Sequence, residues 1–148
     1  MEVRLNSIGS KEIRPVYLEL LRKTLNKIKG EFCTTCKSRL KKNALRIFDC
    51  KNSSCQEILD SQAPFIFDSI SSEDRYHFDA VIRMLDKMRI PYSHDKKLVR
   101  GLDYYSHTTF EITSSILGAQ DALCGGGRYN GLIERLGGKP TPAVGFAA

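Results

Sequence analysis

The sequence predicts an α+β fold, in which a mainly helical, basic part is followed by a partial antiparallel sheet. Residues 11–30 and 71–88 place apolar side chains at the three- and four-residue spacing of helices that are buried on one face. Over residues 108–112 apolar side chains alternate instead, as in a sheet with one buried face. We therefore expect the chain to change from helices to sheet near residue 95.

The first predicted helix covers residues 11–30, with Pro15 near its start and Gly30 as its stop. Between this helix and the next the signals are weaker. The pattern predicts a short basic turn or helix over 31–43, a brief strand or extended segment over 44–50, and one or two helical turns over 53–61.

The second predicted helix begins at Ser71 or Ser72, since either side chain can cap it. Glu73 and Asp74 then suit the positive end of the helix dipole. Farther along, a glycine-rich segment leads from a strand into a short helix at about residues 130–136, and the chain closes on an apolar strand. The part after residue 95 is thus expected to be a fragment of an antiparallel sheet with one short helix.

Composition excludes several classes of protein. Hydrophobic residues make up 41% and charged residues 27% of the 148 residues, as is typical of globular domains. No apolar run approaches the roughly 20 residues needed to cross a bilayer. The first ten residues lack the basic-then-apolar pattern of a secretory signal, so we expect a cytoplasmic protein.

The net charge of +6 lies in the first part of the chain. Residues 1–60 contain 13 basic and 7 acidic side chains, whereas residues 61–148 contain 10 of each. A basic segment beside a neutral one indicates a polyanionic partner, with nucleic acid ahead of membrane. A solvated, lysine-rich helix face would give the same charge, and the composition does not separate the two interpretations.

The cysteine pattern offers a candidate metal site. An odd number of cysteines, five, in a chain without an export signal argues against a disulfide framework. Four thiolates form a complete structural zinc shell, and a Cys-x2-Cys pair brings two of them onto one tight turn. Four reduced, partly buried thiols without metal are the alternative. The candidate zinc ligands are Cys33, Cys36, Cys50 and Cys55.

Two stretches carry residues that an ordinary sheet would not need. In LCGGGRYNGL three consecutive glycines let a ligand approach the backbone, and a cation and a ring follow at once. In LVRGLDYYSHTTFE, Arg100 offers a permanently charged fork of donors that can hold a phosphate. Tyr104 and Tyr105 are expected to alternate across a strand, so that only one of them enters a given pocket. Asp103 either pairs with an arginine or serves as a turn carboxylate.

Both stretches resemble signature motifs of one enzyme family. LVRGLDYYSHTTFE is similar to the first histidine-specific signature of histidyl-tRNA synthetases, which are class II aminoacyl-tRNA synthetases, and CGGGRYNGL is similar to the second. LNSIGS near the start and PTPAVGFAA at the end resemble the family in the same order. The resemblance covers the whole chain, and RGLDYY followed by GGRY at this spacing is highly specific to the family and its close paralogues.

The resemblance implies an activity and a role for each motif residue. The family's enzymes join histidine to ATP, supplied with Mg²⁺, and then move histidine from the adenylate to tRNA(His). By resemblance, Arg100 contacts the α-phosphate of ATP and stabilises the charge that develops on it. The histidine side chain would be held by Tyr105 and Tyr129, with Tyr104 in support, over a glycine floor of Gly125, Gly126 and Gly127, with Arg128 behind it.

The resemblance also implies three parts. Residues 1–9 would end a strand of the catalytic core, residues 10–95 would form an inserted domain that faces the tRNA acceptor arm, and residues 96–148 would be part of the catalytic domain. Phosphate contacts in the inserted domain would position the RNA without reading its sequence. Zinc between the cysteine pairs would hold in shape the basic run KSRLKKNALR, residues 37–46. The candidate tRNA-binding residues are Lys37, Arg39, Lys41, Lys42 and Arg46.

Two departures from the family limit these expectations. Asn130 stands where the family commonly has aspartate, which puts any charge pair of that aspartate in doubt. Nothing in the chain resembles the family's first two class II motifs, its arginine-bearing third motif or its anticodon-binding domain. We therefore expect an internal fragment that is inactive alone, from a parent enzyme that is a homodimer.

Two other hypotheses compete with this one. A non-catalytic, synthetase-like paralogue would bind histidine or RNA as a regulatory module, and the intact signatures rank it second. A free-standing basic zinc module would use the C-terminal strands as scaffold alone. The enzyme-fragment hypothesis and the paralogue hypothesis differ in whether histidine-dependent chemistry on ATP takes place.

Overall fold

The computed structural model describes residues 1–100, 104–114 and 122–148, and within these ranges it is an α+β structure, as predicted. The strands are β1 (Glu2–Ser7), β2 (Tyr92–His94), β3 (Ser106–Thr113), β4 (Ala122–Arg128) and β5 (Val144–Ala147). The helices are α1 (Ile13–Asn26), α2 (Thr34–Lys42), α3 (Ser53–Gln62), α4 (Ser72–Lys87) and α5 (Leu132–Arg135), and short 3₁₀ segments lie at Lys29–Glu31, Ala44–Asp49 and Ile66–Ser69.

The five strands form one sheet in the order β2-β1-β3-β4-β5. β1 pairs with β2 in parallel, and the other three pairings are antiparallel. Strands from both ends of the chain and from residues 92–94 therefore share one sheet. The division into three parts at residues 9 and 95 stays a prediction.

The helical part packs around side chains from α1. Tyr17, Leu21 and Leu25 lie one turn apart on one face, and all three are buried. They pack with apolar side chains from α2, α3 and the 3₁₀ segments. The Tyr17 hydroxyl donates to the Pro64 carbonyl over 2.9 Å, so this buried polar group is satisfied. Burial raises the pKa of Tyr17, which keeps the phenol neutral.

Two local predictions for this part were wrong. Residues 44–49 form a 3₁₀ segment where a brief strand or extended segment was expected over 44–50, because Ala44 and Ile47, like Leu45 and Phe48, are buried at the three-residue spacing of a 3₁₀ helix. Helix α1 ends at Asn26, so Gly30 does not stop it and lies within the next 3₁₀ segment.

Helix α4 begins as predicted. The Ser71 hydroxyl caps it by accepting from the Asp74 N–H over 3.0 Å. The buried Asp74 carboxylate also accepts from the Ser10 N–H and lies 2.9 Å from Nδ1 of His107. Through these contacts α4 is fixed to the sheet, and Phe78 joins Leu5 in a second apolar cluster on that side.

Asn6 holds the segment that leads to the functional residues. Its side chain is fully buried on β1, and its amide donates to the carbonyls of Lys96 and Leu98 over 3.2 and 3.0 Å. These bonds place residues 96–98 beside the sheet, so that Arg100 follows directly against it.

Within the described residues no helix is long and apolar enough to cross a membrane.

Candidate active site

One face of the sheet is left bare by glycines. Gly125 and Gly127 point to the same face of β4, and Gly145 lies opposite Gly127 on β5. A Cβ on Gly125 would overlap the Arg100 guanidinium, and one on Gly145 would overlap the Tyr129 hydroxyl. A Cβ on Gly127 would lie 2.9 Å from the Tyr105 ring. The absent side chains therefore allow a guanidinium and two phenol rings to lie directly on the backbone.

Arg100 is fixed in place by the neighbouring strand. Its Nη1 lies 3.1 Å from Oε1 of Glu111, and its Nη2 donates to the Phe110 carbonyl over 3.2 Å. Glu111 reaches it because Glu111 pairs with Gly125 across β3 and β4. The Arg100 side chain keeps 24% exposure, so part of the guanidinium faces solvent. An anchored and partly accessible cation of this kind can bind an anion with little loss of conformational entropy.

Three tyrosine rings meet beside this arginine. The centroids of Tyr104 and Tyr105 lie 4.8 Å apart, and the ring of Tyr129 lies 5.9 and 6.0 Å from them at nearly right angles. The expected alternation of Tyr104 and Tyr105 was wrong, because both residues precede β3 and the period of a strand does not apply to them. Burial, followed by the neighbouring Tyr104, raises the pKa of Tyr105, so its phenol is neutral and can donate or accept a hydrogen bond.

Tyr105 is also held from the helical part. A guanidinium nitrogen of Arg14, on α1, donates to the Tyr105 carbonyl. Asp103, the remaining polar residue of this stretch, lies outside the described residues, as does Gly101.

A cleft of about 520 Å³ is lined by residues of both the helical part and the sheet. Arg39 and Arg46 of the predicted basic run line it. Most of the charges in the cleft are already paired: Arg46 Nε lies 3.2 Å from Asp49, Arg4 pairs with Asp95, and Lys97 pairs with Asp60. Glu111, the partner of Arg100, also lines the cleft, which therefore leads from the basic run toward the glycine face. Of the five predicted cations, Lys37, Lys41 and Lys42 do not line the cleft, and Lys37 and Lys41 lie one turn apart on α2.

The four predicted metal ligands come together. The sulfur atoms of Cys33, Cys36, Cys50 and Cys55 all lie within 4.8 Å of one another, and three of these residues are buried. The N–H of Cys36 donates to the Cys33 sulfur and lowers the pKa of that thiol to about 7. Burial raises the pKa of the Cys36 and Cys55 thiols. Cys124 lies apart on β4.

Comparison with known proteins identifies the family. Residues 6–148 match the family description "Histidyl-tRNA synthetase". The chain belongs to the histidyl-tRNA synthetase family. It is 47% identical over 146 residues to the histidine–tRNA ligase of Anaeromyxobacter sp. (strain K), and 50% identical over 147 residues to that of Parasynechococcus marenigrum (strain WH8102). In both comparisons 99% of this chain is aligned, with 35% and 34% of the relative.

A solved histidyl-tRNA synthetase has the same fold. The apo crystal structure from S. aureus superposes with a TM-score of 0.68 at 38% identity, covering 98% of this chain and 35% of that one. The chain thus spans about a third of the length of the relatives that it matches.

The departure of this chain from the family's second signature has a visible structural role. The side-chain amide oxygen of Asn130 accepts from Nε of Arg128 over 2.8 Å. The backbone N–H of Asn130 donates to the Ser106 hydroxyl over 3.2 Å. A neutral amide therefore supplies a hydrogen bond to Arg128, but no negative charge. Arg128 lines a pocket together with His77 of α4.

Sequence reasoning missed several side chains that contact or surround the candidate site. Glu111 carried a signal, because the alternation along residues 108–112 puts it on the opposite face from Phe110 and Ile112. Arg14 carried none, since its contact with Tyr105 joins residues 91 positions apart. Three further cations that line the cleft also carried no signal in the sequence: Arg4, Lys51 and Lys97.

Proposed function

We propose that this chain is part of a histidine–tRNA ligase, which activates histidine with ATP and transfers it to tRNA(His). One observation carries the proposal: the guanidinium of Arg100 and the phenols of Tyr105 and Tyr129 lie together on a surface of bare glycine backbone. A cation and phenol hydroxyls on one surface suit a substrate that has an anionic part and a hydrogen-bonding ring. Membership of the histidyl-tRNA synthetase family indicates that histidine and ATP are the substrates.

Arg100 acts on the phosphate in this proposal. The histidine carboxylate attacks the α-phosphorus of ATP, the bond to the β,γ-diphosphate breaks, and pyrophosphate leaves with Mg²⁺. Negative charge grows on the α-phosphate oxygens during this step, and a guanidinium that is already in place stabilises it without reorganising. The contact with Glu111 sets that position before ATP arrives.

The tyrosines hold the histidine side chain. An imidazole needs one donor and one acceptor, and a neutral phenol can be either. Tyr105 and Tyr129 would face the ring, and Tyr104 would support them by ring packing. Gly125 and Gly127 would form the floor beneath the substrate, and Gly126, which points to the opposite face beside Phe110 and Phe146, would contribute only its backbone to that floor.

The proposal has a direct test in the exchange of pyrophosphate into ATP. A full-length ligase that contains these residues, called the parent enzyme below, is expected to show exchange that depends on added histidine. The 148-residue chain alone is expected to show none, since it spans about a third of its relatives' length. A parent enzyme that binds histidine but never exchanges would instead be a regulatory paralogue, and measurable exchange by the chain alone would contradict its predicted inactivity.

The basic run is proposed to contact the phosphates of tRNA. Lys41 and Lys42 are exposed at the end of α2, while Lys37 and Arg39 are half-buried earlier in the helix. Arg46 lies beyond the helix and lines the cleft that leads toward Arg100. Cations spread in this way over a helix and a cleft suit a backbone that passes across them, and they would position the acceptor arm without reading bases.

Replacing both Lys41 and Lys42 by alanine is expected to weaken tRNA binding by the parent enzyme and to make it less dependent on salt. Each lost phosphate contact should reduce the slope of log K against log salt concentration by about 1. The matched control is Lys87→Ala, which removes an exposed lysine from the end of α4. Filter binding of tRNA(His) at several salt concentrations gives the slopes, and an unchanged slope in the double variant would remove these two lysines from the interface.

A further inference from the structure

The four clustered cysteines are spaced as ligands of one metal ion. Tetrahedral zinc with Zn–S distances of about 2.3 Å holds its sulfur atoms about 3.8 Å apart. The sulfurs of Cys33 and Cys50 lie 3.9 Å apart, and all four lie within 4.8 Å of one another. Small side-chain movements would complete the tetrahedron.

The backbone around the cluster donates hydrogen bonds to the sulfur atoms. The N–H of Cys36 points to the Cys33 sulfur at 3.5 Å, the N–H of Cys33 to the Cys55 sulfur at 3.4 Å, and the N–H of Asn52 to the Cys50 sulfur at 3.5 Å. Thiols that merely fill a core have no need of such donors, because a thiol is a weak acceptor that behaves as a small apolar group. Donors directed at sulfur stabilise thiolates, and they form the outer shell of metal sites.

The cluster joins three elements that are separate in the sequence. Cys33 caps α2 and Cys36 lies in its first turn, Cys50 follows the 3₁₀ segment at Ala44–Asp49, and Cys55 lies in the first turn of α3. A four-thiolate set leaves no open coordination position, which is the mark of a structural rather than a catalytic zinc.

We propose that Cys33, Cys36, Cys50 and Cys55 bind one Zn²⁺ ion, which fastens residues 33–55 into their folded shape. The site fixes both ends of residues 37–49, and this segment carries the basic run. Because the cluster needs the folded chain, the free energy of zinc binding adds to the stability of this segment. The proposal does not depend on ligase activity, so it can fail or stand separately from the proposed function.

The test uses two serine variants of the full 148-residue chain. Cys33→Ser removes one ligand, and it suits the fold because Cys33 is the N-cap of α2 and serine is among the best capping residues. Cys124→Ser is the matched control, since Cys124 is a free cysteine on β4, outside the cluster. Metal content is measured by elemental analysis after purification under reducing conditions. Co²⁺ then serves as a spectroscopic probe of the ligand set in the chain stripped of metal.

We expect one zinc per chain in the unchanged protein and in Cys124→Ser, with the Co²⁺ form showing sulfur-to-metal charge transfer and tetrahedral d–d bands. Zinc affinity should fall at least tenfold in Cys33→Ser. Chelation should speed amide hydrogen exchange in residues 33–55 and leave β3 and β4 unchanged. The proposal is overturned if the chain retains no zinc and chelation changes neither stability nor exchange. It is equally overturned if iron occupies the site, if the four cysteines form disulfides, or if Cys33→Ser keeps full affinity.

Discussion

Replacing Arg100 by alanine is expected to lower histidine-dependent pyrophosphate exchange by the parent enzyme at least 10²–10³-fold, the usual cost of losing one donor to developing charge. The loss should appear in kcat as well as in kcat/KM, because the guanidinium is proposed to act on charge that exists only in the transition state. The exchange rate of Arg100→Lys should lie between those of the unsubstituted enzyme and Arg100→Ala. Lysine keeps the charge but not the planar fork that contacts Glu111 and the Phe110 carbonyl together.

Two measurements keep this prediction specific to catalysis. Arg83→Ala removes an exposed arginine from α4, where it lies over the Tyr76 ring, and should leave exchange unchanged. Urea unfolding of both variants shows whether either substitution has damaged the fold. Exchange close to the unsubstituted rate in a folded Arg100→Ala enzyme would remove this arginine from the phosphate site.

Alanine at Gly125 and alanine at Gly126 are expected to have opposite consequences, although the two residues are neighbours on β4. The new Cβ at Gly125 would overlap the Arg100 guanidinium, the mobile end of a long side chain, so the arginine should move and the fold should remain. Displacing a catalytic group by about 1 Å can cost about 100-fold in rate. Gly125→Ala should therefore lose exchange activity while its urea midpoint stays close to the original.

The Cβ at Gly126 would instead overlap the carbonyl oxygen of Gly145 and lie 2.8 Å from atoms of Phe110 and Phe146. The backbone of β5 cannot yield as a side chain does, so Gly126→Ala should destabilise the chain by about 1–3 kcal/mol. Gly30→Ala is the control for both substitutions, because among the described residues no atom beyond its own stretch of chain lies within 4 Å of the position of its Cβ. Equal loss of stability at Gly125 and Gly126 would refute the assignment of separate roles to the two faces of β4.

The sequence predicted those parts of the fold that local rules determine. The helix at α4 followed from its apolar period and its serine cap, and strand β3 followed from the alternation over residues 108–112. The single buried face expected for this strand was wrong, since Thr108 and Thr109 are both buried while Phe110, Glu111 and Ile112 are all half-buried. The 3₁₀ segment at Ala44–Asp49 could not be predicted in this way. Its residues suit a strand, and the partner that decides the outcome is a core contributed by three helices.

In the candidate site, too, residues within local motifs could be predicted and residues distant in the sequence could not. Arg100, Tyr105 and the β4 glycines could be predicted because motif residues stand close together in the sequence. Their supports could not, since Asn6 and Arg14 reach residues more than 90 positions away. The placement of Tyr104 and Tyr105 was wrong for a local reason: the strand begins after them, at Ser106, and their rings are free to meet.

The hydrogen bond from Arg14 to the Tyr105 carbonyl affects whether the sheet can be separated from the helical part. Arg14 belongs to the helical part, and Tyr105 precedes the central strand β3 of the sheet. A sheet excised without its helices, or grafted onto other helices, would lose the donor that holds this tyrosine while keeping every residue of the signature. The helical part therefore helps to position a residue of the candidate site, and we expect that exchanging it for other helices would disturb Tyr105.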